Sequence, residues 1–596
     1  MFVKGISGTL MDVKESHQTR FEFVVWFPFT RNSMGVIREG SLIAAKNFAS
    51  DDQTDHYSVM RITSVLPSHY ALGTGLSGYP GFVEEAAVNA SKDWSQEKPT
   101  EDTTKIVCKA IPSLLEIKST NRLKSTQEEP KIESESNIPM TGEKVHLLNG
   151  EWMGRIINRD IQKIQDQAIT LGTLANSANV DILVLWDDMI RTHFGVFAYT
   201  NAGKSNLLST LTAKVFERAK DVKMIIYDLM GEYGALLIDV LCNNPEANIV
   251  YLSPQAMPNS VKLFWENQSN ENLDAAAKDI VNTTILPKNL KKRQNDFIQP
   301  VKQILKNGQI RLLYLDGKLT DYVSTTVESA ASGKSQALSD FVAFVNKINT
   351  HNEITVSGVE GLESKINDYQ IPSKSGIKAG DAKKHLLQSL NQIKQQVIYT
   401  DRIDSKFQIS QGDIINTMNM HNKKSLYILQ DSDDARVRQT SHELGGGMLK
   451  IRREKGQISP PVSFIYDEAD QFIAQDSSDF GMAESKKAAQ QLARRGRKYG
   501  LGIGIATQRI VYLDTSVLGQ PHTYLVSKLP RATDRERIQE AFGLSDEVLG
   551  ESLRFGMGQW LLISHSATGI DGLPIPVQLP DANVRIAEFL DGVHES

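Results

Sequence analysis

Residues 195–206 read GVFAYTNAGKSN, and their reading decides the fold. The stretch has the order of a phosphate-binding loop, an apolar run followed by a turn, a lysine and a hydroxyl, but Ala198 stands where the pattern GxxxxGK[ST] has its first glycine. Such a loop works because a strand ends in a tight turn whose backbone N–H groups point inward at the N-terminus of the next helix. FGVFAY before Thr200 has the text of a buried strand, and SNLLSTLTAKVFERAK after Lys204 that of an amphipathic helix. The residues that approach phosphate most closely are those just before the lysine, where Gly203 is kept. Position 198 needs only a small side chain, which alanine supplies. Lys204 is then expected to reach the β and γ phosphates and Ser205 to ligand Mg²⁺. A second GKS, within Ser332–Ser335, has no buried strand before it and reads as a plain turn between helices.

Outward from this loop, short apolar runs recur: VDILVLW from Val180, VKMIIYDL from Val222, NIVYLSP from Asn248, SLYILQD from Ser425, PVSFIYDE from Pro461, LGIGIATQ from Leu501, TYLVSKL from Thr523 and QWLLIS from Gln559. Runs of that length between helical periods predict a buried, largely parallel sheet with covering helices, an α/β nucleotide-binding core over residues 180–596. From about 256 to 415 the strands vanish into polar, helical text, read as a helical insertion because an unstructured loop that long inside a domain is uncommon. Residues 1–179 read differently. FEFVVW, GSLIAAKNF, YSVMRITSVLP and TTKIVCKAIPSLLEI, punctuated by Gly and Pro, predict a small β-barrel or sandwich. KSTQEEPKIESESNIP, from Lys124, reads as a flexible excursion within it.

Bulk properties bound the answer without choosing it. A chain of 596 residues is expected to hold roughly three or four modules. Its net charge of -5 leaves nucleic-acid binding open, since a groove can concentrate positive charge locally. Two cysteines outside any CxxC spacing exclude a disulfide framework or a zinc ribbon and fit a reducing, cytoplasmic setting. FEFVVWFPF, broken by Glu22 and Pro28, falls far short of the ~18 residues a membrane span needs, and no signal-peptide pattern opens the chain.

Chemistry beyond the loop is carried by acids at strand ends. FIYDEADQF places Asp467 and Glu468 together after an apolar run. In phosphoryl transfer the first orders Mg²⁺ through water and the second polarises the attacking water, whereas a helix-capping acidic pair is the bland reading. YDLMGEY puts Asp228 and Glu232 at the carboxyl edge of the sheet, although a turn with solvated acids explains them equally well on chemistry alone. IATQR ends another run with Gln508, a candidate sensor of the γ phosphate. KKAAQQLARRGRKYG gathers six positive residues at one helix end; it reads as a solvated face, or as a source of Arg494 or Arg495 for a neighbouring subunit's γ phosphate.

AYTNAGKSN, DLMGEY, a helical insertion, YDEADQF, ARRGRKYGLGIGIATQR and ATDRERIQEAFGL stand here in the order found in HerA-like ATPases of the HerA and FtsK superfamily. The resemblance covers about Val180 to the end of the chain, and the first module loosely resembles the HAS β-barrel of such proteins. It implies a RecA-like P-loop core and a homohexameric ring with ATP and Mg²⁺ at subunit interfaces and double-stranded DNA in the central channel. By position it implies a nucleotide site of Thr200, Asn201, Ala202, Gly203, Lys204, Ser205 and Asn206 with Asp228, Glu232, Asp467, Glu468 and Gln508. Arg191 and Arg494 or Arg495 are implied to act from the adjoining subunit. TNAG departs from the family's usual TGSG, which puts nucleotide affinity in question more than the reaction. The family also implies a separate effector docked on the barrel face, a nuclease in end processing or a nuclease or sirtuin-like NADase in antiviral defence. The alternative is a ring scaffold that assembles and licenses such an effector without processive movement. Lys291, Lys292 and Arg293 are pore candidates, with a solvated helix end as the stronger reading.

Overall fold

The computed structural model describes residues 1–16, 19–69, 82, 85, 104–120, 129–330, 336–350, 353–371, 377–476, 479 and 481–595. The second GKS turn lies outside the described residues, as do positions 124–128 of the polar excursion. Two compact units emerge, Met1–Leu185 with Thr523–Leu579, and Trp186–His522 with Pro580–Ser596. The first unit therefore takes back a later segment that the sequence assigns to the ATPase core, and its first boundary falls a few residues beyond 179.

The first unit opens with strands β1 (Phe2–Ser16), β2 (Arg20–Pro28), β3 (Leu42–Lys46), β4 (Thr54–His69), β5 (Thr104–Thr120), β6 (Lys131–Ser134) and β7 (Lys144–Leu148). They run in the order β2-β1-β7-β3-β4-β5-β6, and β2 also pairs with β5, so the sheet closes on itself as a barrel. Closure follows from alternation. In RFEFVVWFP of β2, Phe23, Val25 and Phe27 point inward, where they meet Ile43, Ile62, Ile106 and Cys108. The polar excursion is not wholly loop: Lys131–Ser134 pairs with β5, because Ile132 faces Ile117 across the ladder. Strands β8 (Ala168–Leu174) and β9 (Ser177–Leu185) form a hairpin, and β8 pairs antiparallel with β20 (Ile575–Gln578).

The second unit carries β10 (Phe194–Ala198), β11 (Lys223–Tyr227), β12 (Ala247–Tyr251), β13 (Ile310–Tyr314), β14 (Gln408–Ser410), β15 (Ser425–Gln430), β16 (Val462–Asp467) and β17 (Leu501–Thr507). All are parallel, in the order β14-β13-β12-β15-β11-β16-β17-β10. Strands β10, β11, β12, β16 and β17 are buried at every residue, which is why they read as unbroken apolar runs. Gly502 and Gly504 in β17 are required by close approach, since a Cβ at 502 would lie 1.7 Å from the Ile190 carbonyl oxygen and one at 504 would lie 2.3 Å from the Phe194 ring.

Two sequence expectations are corrected here. TYLVSKL and QWLLIS are not parallel core strands: β18 (Thr523–Ser527) and β19 (Gln559–Ser564) pair antiparallel with each other, and β19 pairs antiparallel with β20, all in the first unit. The 256–415 insertion, in turn, contains strands. IRLLY (β13) and QIS (β14) extend the parallel sheet beyond β12. Elsewhere the described residues of the insertion are mainly helical, with a core of their own built from helices Leu319–Ala330, Gln336–Ile348, Val356–Asp368 and Ile377–Thr400 around Phe341, Leu362 and Leu390.

Candidate active site

The site is built where β10, β11, β16 and β17 end at the carboxyl edge of the sheet. After β10 the chain turns through 199–203, with Asn201 at φ 66° and Gly203 at φ 98°, and helix Lys204–Arg218 starts with Gly203 as its N-cap residue. The positive φ at 203 is the conformation that glycine alone adopts without strain. Ala198, by contrast, is the last buried residue of β10, with extended neighbours, and needs no glycine.

Lys204 is the hub. Its side chain is 7% exposed, and its Nζ lies 2.5 Å from Asp467 Oδ1 and 2.7 Å from Glu468 Oε1. Burial works against the charged ammonium, but the two carboxylates outweigh it and hold the Lys204 pKa above its ordinary value. Glu468 is placed by backbone strain: it sits in the left-handed region at φ 50°, ψ 53°, where it ends β16 and turns its carboxylate back over the sheet edge. Gln508 Nε2 donates to Glu468 Oε1 at 3.0 Å, and Thr200 Oγ1 donates to Gln508 Oε1 at 2.6 Å. The loop, the acidic strand end and the end of β17 are thereby joined in one hydrogen-bonded chain.

A second chain of bonds runs through the GEY turn after β11. Ser205 Oγ donates to Glu232 Oε1 at 2.6 Å, and Tyr233 Oη donates to Asp467 Oδ2 at 3.0 Å. Asp228 shapes that turn. Its Oδ1 accepts from the Gly231 and Glu232 amides at 2.8 and 3.3 Å, and its Oδ2 from the Tyr233 amide at 2.9 Å. Burial pushes the Asp228 pKa up to about 7 even though the amides favour its charged form. Burial also raises Glu232, with the Ser205 hydroxyl pulling the other way.

Residues 169–439 match the family model described as the central domain of the helicase HerA. Over 434 residues the chain is 21% identical to the DNA double-strand break repair helicase HerA of Sulfurisphaera tokodaii, covering 72% of this chain and 71% of that protein. The HerA of Pyrococcus furiosus is 22% identical over 487 residues, 77% of this chain and 76% of the relative. Residues 169–439 thus resemble the central domain of HerA-like ATPases. A protein of Methanocaldococcus jannaschii named "Probable helicase MJECL08" is 20% identical over 611 residues, 99% of this chain and 96% of its own length. Among solved structures, the plasmid coupling protein TrwB in complex with ADP and Mg²⁺ superposes with a TM-score of 0.41 at 12% identity, over 73% of this chain and 93% of that one.

In this HerA-like core the other expected site residues are distributed unevenly. Asn206 is engaged by the C-terminal segment: its side chain accepts from the Ala582 amide at 2.7 Å and donates to the Pro580 carbonyl at 3.2 Å. Asp228 is turned into the GEY loop, so it orders the site rather than facing it. Arg191, Arg494 and Arg495 are not gathered at the phosphate loop of their own chain. Arg191 pairs with Asp187 at 2.8 Å and donates to the Ile458 carbonyl, ahead of β16, at 2.9 Å. Arg494 and Arg495 are exposed at the end of helix Met482–Arg495, ahead of β17. The seven residues of β17 span about 23 Å, so these arginines mark the opposite edge of the sheet from Gln508. Arg293 is held by Asp296 and Asp591, both at 2.7 Å, which ties it to the C-terminal helix. Sequence reasoning missed Tyr233 as a partner of Asp467, and Asp470, which accepts from Thr507 Oγ1 at 2.7 Å beneath Gln508. Both lay in motifs already singled out, GEY and DEAD, but only the register of β11, β16 and β17 brings them together.

Proposed function

We propose that this chain is an ATP-driven translocase or helicase on double-stranded DNA, acting as a homohexameric ring with ATP at subunit interfaces and alongside a separate effector such as a nuclease or a sirtuin-like NADase. The observation that carries the reading is the single constellation of Lys204 with Asp467, Glu468 and Gln508 at the end of a phosphate loop. The relatives named as double-strand break repair helicases support the DNA substrate.

The residues present fit ATP and Mg²⁺. The turn before Lys204 opens a helix N-terminus toward the space beside it, a lysine held charged stands at its centre, and a hydroxyl and two carboxylates flank that lysine. Bound there, ATP with Mg²⁺ would supply the phosphoanhydride bond to be split. Backbone amides of Thr200, Asn201, Ala202 and Gly203 would cradle its phosphates. Lys204 would neutralise charge on the phosphoryl oxygens, Ser205 and Asp467 would hold the metal, and Glu232 would orient Ser205. Glu468 takes the proton of the attacking water, and Gln508 keeps its carboxylate aimed at that position. Lys204 must leave Asp467 and Glu468 to do its part, which frees both acids for theirs.

The test is ATP turnover with and without duplex DNA. DNA is expected to raise turnover, Lys204→Ala to abolish it, and Glu468→Gln to lower it about 10²- to 10⁴-fold while ATP stays bound. Turnover indifferent to both DNA and Lys204→Ala would sink the proposal.

A further inference from the structure

Helices Asp434–Lys455 and Met482–Arg495 pack side by side and frame an open groove of about 810 Å³. It lies where the two helices end, ahead of β16 and β17, at the opposite edge of the sheet from Glu468 and Gln508. Four cations line it: Lys450 and Arg453 from the first helix, and Arg495 and Lys498 from the end of the second and the turn beyond it. All four are exposed, and within the described residues none forms an ion pair or a hydrogen bond. Glu454 is the one acid in the lining. In a chain of net charge -5, this gathers positive potential in one cleft. The run KKAAQQLARRGRKYG supplies only half of that charge; the fold brings Lys450 and Arg453 to meet it.

A second observation concerns the floor of the groove. The first helix contains three consecutive glycines, an unfavourable choice for a helix interior. Packing accounts for two of them: a Cβ at Gly445 would lie 3.0 Å from Leu492 Cδ1, and one at Gly447 would lie 3.0 Å from Ile415 Cδ1. Gly446 lines the groove, and a Cβ there would meet no atom within 4 Å. Packing within the chain does not call for glycine at that position, whereas close approach of a ligand to the helix backbone does. The cores of protein–protein interfaces are depleted of charge, while protein–DNA interfaces are strongly positive, so this lining fits a phosphate backbone better than a protein surface.

We infer that this groove is a docking surface for the phosphate backbone of duplex DNA, with Lys450, Arg453, Arg495 and Lys498 as sequence-independent phosphate contacts and Gly446 giving the strand room to approach. The inference rests on the DNA reading above and assigns it a surface.

Fluorescence anisotropy of a labelled DNA duplex, titrated with the full chain at graded KCl without nucleotide, tests the site. Lys450 and Arg453 are the residues to change, because Arg495 is also a candidate for the adjoining subunit's ATP site. Lys450→Gln with Arg453→Gln should weaken binding about tenfold and make the log–log salt slope shallower by about 1.8, at about 0.9 per lost phosphate contact. Gly446→Glu sets a carboxylate among the cations and should weaken DNA by a similar factor, with an unfolding temperature equal to or above the parent's. Lys306→Gln, at an exposed lysine on another helix, should leave affinity and slope unchanged. A duplex of different sequence should bind equally well. DNA-free ATP turnover should match the parent's in the groove variants, while its stimulation by DNA is lost. If the parent binds duplex and the groove variants bind it equally, the groove assignment is overturned and the DNA reading stands; a parent that binds no duplex overturns both. Intact DNA affinity with reduced DNA-free turnover would mark the groove as a subunit contact, and displacement of the probe by polyglutamate as readily as by unlabelled duplex would mark it as a site for acidic protein; either overturns the assignment.

Discussion

Asp228 shows how one side chain sets both geometry and pH response. Three backbone amides of the GEY turn converge on its carboxylate, so the turn that delivers Glu232 and Tyr233 is folded around it. Its pKa of about 7 lies above the roughly 3.9 of an unfolded aspartate. Between those values the folded state holds the proton more tightly. The stability this group contributes is therefore complete below about pH 4 and is lost as pH rises through about 7. Asp228→Asn removes the titration while its single carbonyl oxygen satisfies fewer of the three amides. The parent is thus expected to be the more stable of the two at pH 5, with the gap in Tm narrowing toward pH 8; a gap that widens with pH would contradict this assignment. Turnover of Asp228→Asn should fall at every pH, because Glu232 loses its support. None of this was legible in YDLMGEY, which shows that acids are present but not that one of them turns inward to bind its own loop.

At the scale of elements, the sequence showed most where burial was complete on both faces. The runs at β10, β11, β12, β16 and β17 were visible because every residue in them is buried. The last strands toward the edge were not: β13 is partly exposed and β14, at the edge, has three residues, so both disappear into the helical text around them. Orientation was hidden too, since a five-residue run such as TYLVS reads alike in a parallel or an antiparallel pair. A long-range contact explains why that later segment belongs with the barrel unit. Arg61 of β4 meets Glu551, at the end of helix Asp546–Glu551, through two bonds of 2.8 and 2.6 Å, with side chains 1% and 4% exposed. Truncating one partner leaves the other charge buried and alone. Arg61→Ala is expected to lower unfolding free energy by about 3–5 kcal/mol in urea titrations, while changing both residues, Arg61→Met with Glu551→Leu, should recover most of it. In the second unit, Gly502→Ala should cost about 1–3 kcal/mol or more by the same assay, because its methyl would be driven into the Ile190 carbonyl.

For the whole molecule the decisive question, if the proposed ring forms, is how arginines at the opposite edge of the sheet from their own Gln508 could serve catalysis. In a closed ring built by one repeated heterologous contact, the opposite edges of a subunit face different neighbours. A group on the edge ahead of β16 and β17 can then complete the next subunit's site. Arg494 and Arg495 are exposed for such a role, while Arg191 must first give up Asp187 and the Ile458 carbonyl. Complementation separates the candidates. Lys204→Ala lacks a working phosphate loop but keeps its arginines; a variant at Arg191, Arg494 or Arg495 has the converse defect. When two inactive variants are mixed and allowed to exchange subunits, some interfaces pair an intact loop with an intact arginine. Turnover is therefore expected to reappear, to roughly a quarter of the parent rate at equal mixing if interfaces act independently, for whichever arginine acts in trans. An arginine that serves its own subunit gives a different result, because each mixed interface still joins a loop to the arginine of the same defective chain and no activity returns.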